Sequence, residues 1–232
     1  DEDILPSFAE AGFFDMLSID LNQTIDMTKI FARIIDFRTP FTANHSAGVA
    51  RTAQELAKLA GFGGDECKRM LIAGNLHDLG KLAVNRAVLE SPDKLGEKEF
   101  NEIRSHTYYT YQLLKPIRGF ETINQWASFH HEKLNGKGYP FHLTANQLCL
   151  GARIMAVADI FTAVSEDRPY REGMAKEQVL KVLESMVDNG SICSYVVSLL
   201  VQHYDQINNC RVEAQTKALG EYEHFVKVYG RE

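Results

Sequence analysis

Apolar residues recur every three or four positions along most of the chain, and sustained alternation of apolar and polar residues is rare, so the pattern predicts an all-α protein. Residues 18–36 carry Ile19, Ile30, Phe31, Ile34 and Ile35 at helical spacing, and Pro40 ends or kinks that element. Over 43–60, Val49, Ala53, Leu56, Ala57 and Ala60 form one apolar face that stops at Gly61. A third helix is predicted from Asp65 to Leu82, with Met70, Leu71, Ala73 and Leu76 inside it. Further helices follow over 97–115, 121–132, 146–166, 175–188, 193–208 and 212–229. Residues 85–96 read as a connection, and 133–145 as a loop, because Gly136, Gly138 and Pro140 break any helix there. The last helix, with Leu219, Tyr222, Phe225, Val226 and Tyr229, is amphipathic and packs on the body or on a second chain.

Charge narrows the function classes. The 232 residues carry 25 Lys+Arg against 31 Asp+Glu, a formal net charge of −6, with no basic run. Duplex nucleic acid and anionic membranes are therefore poor partners, while a small anionic ligand held by a few local charges stays open. No stretch approaches the roughly 18–20 apolar residues of a membrane span, and the acidic start is unlike a signal peptide, so a cytoplasmic location is expected. The chain begins at Asp1 without methionine, which points to a piece of something longer. Cys67, Cys149, Cys193 and Cys210 lie far apart and suggest neither disulfides nor a thiolate zinc site. The string Gly63-Gly64-Asp65-Glu66 reads as a helix stop followed by Asp65 as N-cap.

The chemistry concentrates in histidines and aspartates. His77 and Asp78 are adjacent in the third predicted helix, followed by Lys81, and could flank a metal ion at their common edge, although such a pair is also common on surfaces. His45 continues the buried face of its helix, as a ligand or as a satisfied core histidine. His130 and His131 repeat the adjacent arrangement before the glycine-rich loop, and His106 lies between. Asp159 sits in the run from Ile154 to Phe161, which is apolar on every side, with no cation among its helical neighbours. A buried carboxylate there needs a metal or a basic partner from elsewhere. Five histidines and two aspartates without a thiolate suit octahedral Fe or Mn and exceed what one zinc takes, which indicates two divalent metal ions.

The motifs Phe41-Thr42-Ala43-Asn44-His45-Ser46, His77-Asp78-Leu79-Gly80-Lys81, the run His130 to Pro140, Ala158-Asp159 and Asp167-Arg168-Pro169-Tyr170-Arg171 occur in that order. With them the sequence resembles the HD-GYP family of the HD superfamily, the phosphodiesterases of cyclic di-GMP and related cyclic dinucleotides, over residues 20–205. The resemblance implies an all-α HD-superfamily helical bundle with a glycine-rich GYP loop. It divides the chain into an N-terminal extension (1–19), a catalytic domain (20–208) and a C-terminal helical extension (209–232). It implies that His45, His77, Asp78 and Asp159 hold one metal and His106, His130 and His131 the other, with Asp78 bridging. Lys81 would lie beside the scissile phosphate and act with Asp78 in catalysis; Arg168 and Arg171 would hold the second phosphate, and Tyr139 would line the entrance. A solvated loop remains the alternative for the two arginines.

Three positions depart from the family pattern. Phe41 stands where some members carry the glutamate of a third metal site, so two metals are expected. Asn135 replaces a frequent aspartate in a turn both residues suit, and Thr162 replaces a frequent aspartate, which leaves substrate identity open. The implied reaction is hydrolysis of cyclic di-GMP or a related 3',5'-cyclic dinucleotide to the linear dinucleotide. The alternatives are selectivity for cyclic GMP-AMP, or a non-catalytic cyclic-dinucleotide sensor. An N-terminal regulatory domain or a homodimer is compatible with this reading.

Overall fold

The computed structural model describes residues 19–38, 44–89, 96–167 and 171–229. Its helices are α1 (Leu21–Arg38), α2 (His45–Leu59), α3 (Gly64–Leu76), α4 (Arg86–Leu89), α5 (Glu97–Leu114), α6 (Glu121–Ser128), α7 (Leu150–Ser165), α8 (Lys176–Asp188), α9 (Ser194–Gln202) and α10 (Tyr204–Tyr229). A 3-10 helix, Leu79–Ala83, follows α3. No described residue lies in a β-strand, and an isolated antiparallel bridge joins Asn135 to Thr144, so the fold is all-α. No described helix is long and apolar enough to cross a membrane.

Helix α2 is the centre of the bundle and packs against α3, α7 and α10. Its apolar stripe, Val49, Ala53, Leu56 and Ala57, is fully buried, as the spacing predicts. Small residues let α2 and α3 approach closely, since a Cβ on Gly74 would fall 2.3 Å from the Ala50 Cα. That approach brings the ring of His45, at the start of α2, to 5.6 Å from the ring of His77, just past the end of α3. Helix α7 is buried on nearly all sides through Ile154, Met155, Val157, Ala158 and Phe161. In α1 only part of the apolar stripe is covered: Ile25, Ala32 and Ile35 face the body, while Ile30, Phe31 and Ile34 are exposed.

Several helix boundaries differ from expectation. Helix α3 starts at Gly64, not Asp65, because the Glu66 carboxylate reaches back to accept the Gly63 N–H at 2.8 Å. It also stops at Leu76, so His77 and Asp78 lie in a turn and not inside the helix. The stop has a tertiary cause: Thr110 of α5 donates its hydroxyl to the His77 carbonyl and accepts the Gly80 N–H, which diverts the chain into the 3-10 helix. Helix α6 likewise ends at Ser128, and His130 and His131 occupy the turn after it. The break expected between 208 and 212 is absent, since no glycine or proline interrupts that stretch and α10 runs through it. The boundary drawn at 209 therefore falls within a continuous helix. Helix α10 packs on the body, with Gln215 seated against Gly48. All four cysteines are free thiols.

Candidate metal centre

Two turns and two helices converge on His45 at the N-terminus of α2. The turn after α3 supplies His77 and Asp78, α5 supplies His106, the turn after α6 supplies His130 and His131, and α7 supplies Asp159. His45, His77, Asp78, His106, His130 and Asp159 are all buried, and His131 is partly exposed. Two groups could hold a metal ion, with ligand atoms within 4.8 Å of one another: His45, His77 and Asp78 in one, and His106, His130 and His131 in the other. Asp159 adjoins both, with Oδ1 3.3 Å from His45 Nε2 and Oδ2 3.8 Å from His131 Nδ1. The basic partners that its apolar helix could not supply thus come from two other elements. Asp78 lies between the groups, with Oδ2 3.3 Å from His77 Nε2 and Oδ1 3.3 Å from His106 Nε2.

The tautomers are fixed by the main chain. His77 Nδ1 donates to the Gly74 carbonyl at 2.7 Å, His106 Nδ1 to Ile103 at 2.6 Å, and His130 Nδ1 to Ala127 at 2.6 Å. A carbonyl only accepts, so in the neutral ring each proton sits on Nδ1 and Nε2 is left as the acceptor. His106 and His130 aim these acceptors at each other across 3.3 Å, and His77 Nε2 is buried without a hydrogen bond. Such crowding of buried acceptors is unfavourable in itself and fits a shared cation. The donor set, imidazole and carboxylate, matches divalent first-row metals.

Electrostatics sort the histidines into two states. Burial pushes His106 down to about 3 and His130 well below its ordinary value, so both are neutral, as ligation requires. At His45 burial opposes the charge, but Glu166 and Asp159 outweigh it and raise the group to about 10, and at His77 the Asp78 carboxylate likewise overcomes burial and raises the group. Asp78 is held well below the carboxylate range, because Lys81 and His77 overcome the cost of burial. Lys81 Nζ donates to Asp78 Oδ2 at 2.6 Å.

The rim carries the remaining expected residues unevenly. The Tyr139 ring lies 4.9 Å from that of His131, so the glycine-rich loop borders the centre. Gly138 lets this loop fold onto its own stem, since a Cβ there would meet the Lys133 nitrogen at 2.3 Å. Arg171 donates to the Ala163 carbonyl at 2.5 Å, an anchor to α7. Arg168 and Phe41 lie outside the described residues.

Four residues escaped the sequence reading. Glu166 brackets His45 Nδ1 with both carboxylate oxygens at 3.1 Å; its only signal is its place seven residues after Asp159, on the same helix face. Glu132 accepts the Phe141 N–H at 2.6 Å and the Leu143 N–H at 2.9 Å, which pins the loop. Arg104 lies 4.4 Å over the Phe100 ring and 5.3 Å over Tyr139. Thr110 terminates the HD turn, as above, and nothing local in the sequence marks it.

Comparison with known proteins agrees with this geometry. The HD domain family profile matches residues 29–192. Among curated relatives, 3'3'-cGAMP-specific phosphodiesterase 1 of Vibrio cholerae is 32% identical over 84% of this chain and 45% of its own length. Phosphodiesterase 3 of the same set is 38% identical over 66% of this chain and 34% of its own. The cyclic di-GMP phosphodiesterase response regulator RpfG of Xanthomonas campestris is 34% identical over 66% of this chain and 41% of its own. The chain thus spans less than half the length of these relatives. Among solved structures, an HDG"Y"P protein from Bdellovibrio bacteriovorus has a TM-score of 0.58 at 17% identity, covering 80% of this chain and 65% of that one. The HD domain of the L. monocytogenes phosphodiesterase PgpH has a TM-score of 0.55 at 15% identity, covering 83% and 98%. The helical bundle and its histidine–aspartate centre define an HD-domain protein. The chain belongs to the HD domain family.

Proposed function

We propose that this domain is a two-metal phosphodiesterase that opens a 3',5'-cyclic dinucleotide, cyclic di-GMP or 3'3'-cGAMP, to the linear dinucleotide. The observation that carries the reading is the convergence of three Nε2 atoms, of His77, His106 and His130, each aimed by a main-chain hydrogen bond at its Nδ1, around the Asp78 carboxylate. His45, His77, Asp78 and Asp159 would hold one ion, and His106, His130 and His131 the other, with one oxygen of Asp78 turned toward each group. Bound divalent ions, with Fe and Mn the best matches to these donors, supply charge stabilisation at the phosphate and a water acidic enough to act at neutral pH.

The chain's own residues do the rest. Hydrolysis forms a bond from water oxygen to phosphorus and breaks the phosphorus bond to the ribose oxygen, which leaves as an alcohol and takes a proton. Lys81, cationic and tied to Asp78, places a charge where a phosphate oxygen develops negative charge. Tyr139 and the loop pinned by Glu132 border the entrance and orient the ligand. Names of both cyclic di-GMP and cGAMP phosphodiesterases among the relatives support the substrate class. The test is turnover of the two cyclic dinucleotides side by side by Mn-loaded and Fe-loaded protein. Activity that survives in both His77→Ala and Asp78→Ala would sink the metal mechanism, and binding without turnover would mark a sensor.

A further inference from the structure

His77, His106 and His130 are each oriented by a main-chain carbonyl, but His45 is oriented by a side chain. That side chain, Glu166, is itself held from the C-terminal helix. Gln215 of α10 donates its Nε2–H to Glu166 Oε2 at 3.0 Å, and Arg211, one turn earlier, donates to the Gln215 side-chain oxygen. Asn208 Oδ1 accepts two further bonds from the Arg211 guanidinium, at 3.1 and 2.8 Å. Glu166, Arg211 and Gln215 are all buried, so the chain of bonds runs through the protein interior. Room for it is built in. Gly48, three residues after His45, lacks the Cβ that would fall 2.9 Å from the Gln215 amide.

A carboxylate that fixes a histidine tautomer from behind is a strong lever on metal affinity, and its removal typically costs about 10–100-fold. Here the lever is attached to a helix that contributes no ligand. Resting on the metal-centre reading above, we propose that Glu166 is a positioning residue for His45 and that α10 holds it through Gln215. The C-terminal helix thereby sets the affinity of the His45 group for a divalent cation and leaves the His106, His130 and His131 group unaffected.

The experiment is calorimetric titration of Mn2+ into chelator-stripped full chain, with thermal unfolding of the stripped protein followed in parallel. The unaltered chain is expected to show two binding events. Glu166→Gln keeps the volume and one acceptor but loses the charge, and should weaken one event by about 10-fold; Glu166→Ala should weaken it by about 100-fold. Gln215→Ala and Gly48→Ala, which disturb the α10 contacts and leave the Glu166 side chain in place, should weaken the same event by several-fold with the other event unchanged, even where the unfolding midpoint falls. Weakening of both events in parallel would show a general structural role and overturn the proposal. Unchanged affinities in Gln215→Ala and Gly48→Ala overturn it too, even if Glu166→Ala does not fold. An unaltered chain that takes up no Mn2+ overturns the metal-centre reading as well, whereas normal uptake with unresponsive variants overturns only the role of α10.

Discussion

His106 and His130 face each other through Nε2 atoms 3.3 Å apart, while the Nδ1–H of each is already committed to a main-chain carbonyl. Neither ring can donate to the other in its neutral form, so the pair is repulsive until a cation or a proton enters. Burial disfavours the proton at both rings. The protein therefore carries an unfavourable arrangement that a divalent ion relieves.

Metal should accordingly stabilise the fold. A ligand that binds only the native state at about 100 times its dissociation constant adds roughly 2.7 kcal/mol. Saturating Mn2+ is expected to raise the melting temperature of chelated protein by several degrees, and His130→Ala should remove a large part of that gain. Identical shifts in the variant and the unaltered chain would show that the ion binds elsewhere.

Asp36 predicts the pH dependence of the metal-free protein. It is buried and accepts the Ser46 hydroxyl at 2.7 Å, and burial raises its carboxyl from 3.8 to about 7 despite the favourable field of His45. The folded state then binds a proton that the unfolded chain has released, so the stability contributed by this group is fully present below about pH 4 and is lost as pH rises towards about 7. The slope from this one group approaches 1.4 kcal/mol per pH unit at most. Asp36→Asn should flatten it, as read by urea unfolding in EDTA across that range. A slope equally steep in the Asn variant would assign the dependence to other groups.

Periodicity was enough to place α2 and α7, because an apolar face stopped by glycine and an all-round apolar run each permit one reading. It also exposed Asp159, whose burial follows from Ile154, Met155 and Phe161 around it. The ends of α3 and α6 were not legible, because what stops α3 at the HD pair is Thr110, a residue thirty-three positions after His77 that caps its carbonyl. Glu166 was invisible for a similar reason: its role depends on His45, 121 residues away, and on Gln215, 49 away. Residues that act through distant partners carry no local period.

Gly80 tests that long-range packing. A Cβ at this position would lie 1.9 Å from the His106 carbonyl oxygen and 2.7 Å from the Thr110 nitrogen, both backbone atoms that cannot swing aside. Gly80→Ala should destabilise the protein by at least about 1–3 kcal/mol, the usual cost of overpacking, and lower metal content through displaced His106 and Asp78. Denaturant unfolding together with elemental analysis reads both effects. A fully stable variant with normal metal content would contradict the packing described.

Glu132 connects the centre to its loop. Removing its carboxylate leaves the Phe141 and Leu143 N–H groups without their acceptor, at about 1–3 kcal/mol for each donor that stays buried. Glu132→Ala is expected to unfold at lower urea and to admit protease within the 133–145 loop sooner than the unaltered chain. Glu132→Gln, which keeps an acceptor, should recover part of both. Protection of the loop unchanged in the Ala variant would leave Gly138 and the Asn135–Thr144 bridge to hold it.

Arg104 provides the sharpest probe of where the ligand sits. Its guanidinium stacks over Phe100 and lies 5.3 Å from the centre of the Tyr139 ring, two residues before His106 on α5, so a cation and an aromatic face border the same rim. A guanidinium so placed suits both a phosphate and the face of a purine. The Arg104 guanidinium is engaged by Phe100, Tyr139 and Asn101, so its loss should act on binding more than on the chemical step. Arg104→Ala is expected to raise KM for a cyclic dinucleotide about 10-fold, with kcat within about two-fold, the signature of an interaction made equally in ground and transition states. Arg104→Lys keeps the charge but not the planar stack, and should recover only part of the loss. Steady-state kinetics at two salt concentrations separates the contributions, because the charge component weakens with ionic strength and the stacking component does not. An unchanged KM in Arg104→Ala would move the bound ligand away from this side of the centre.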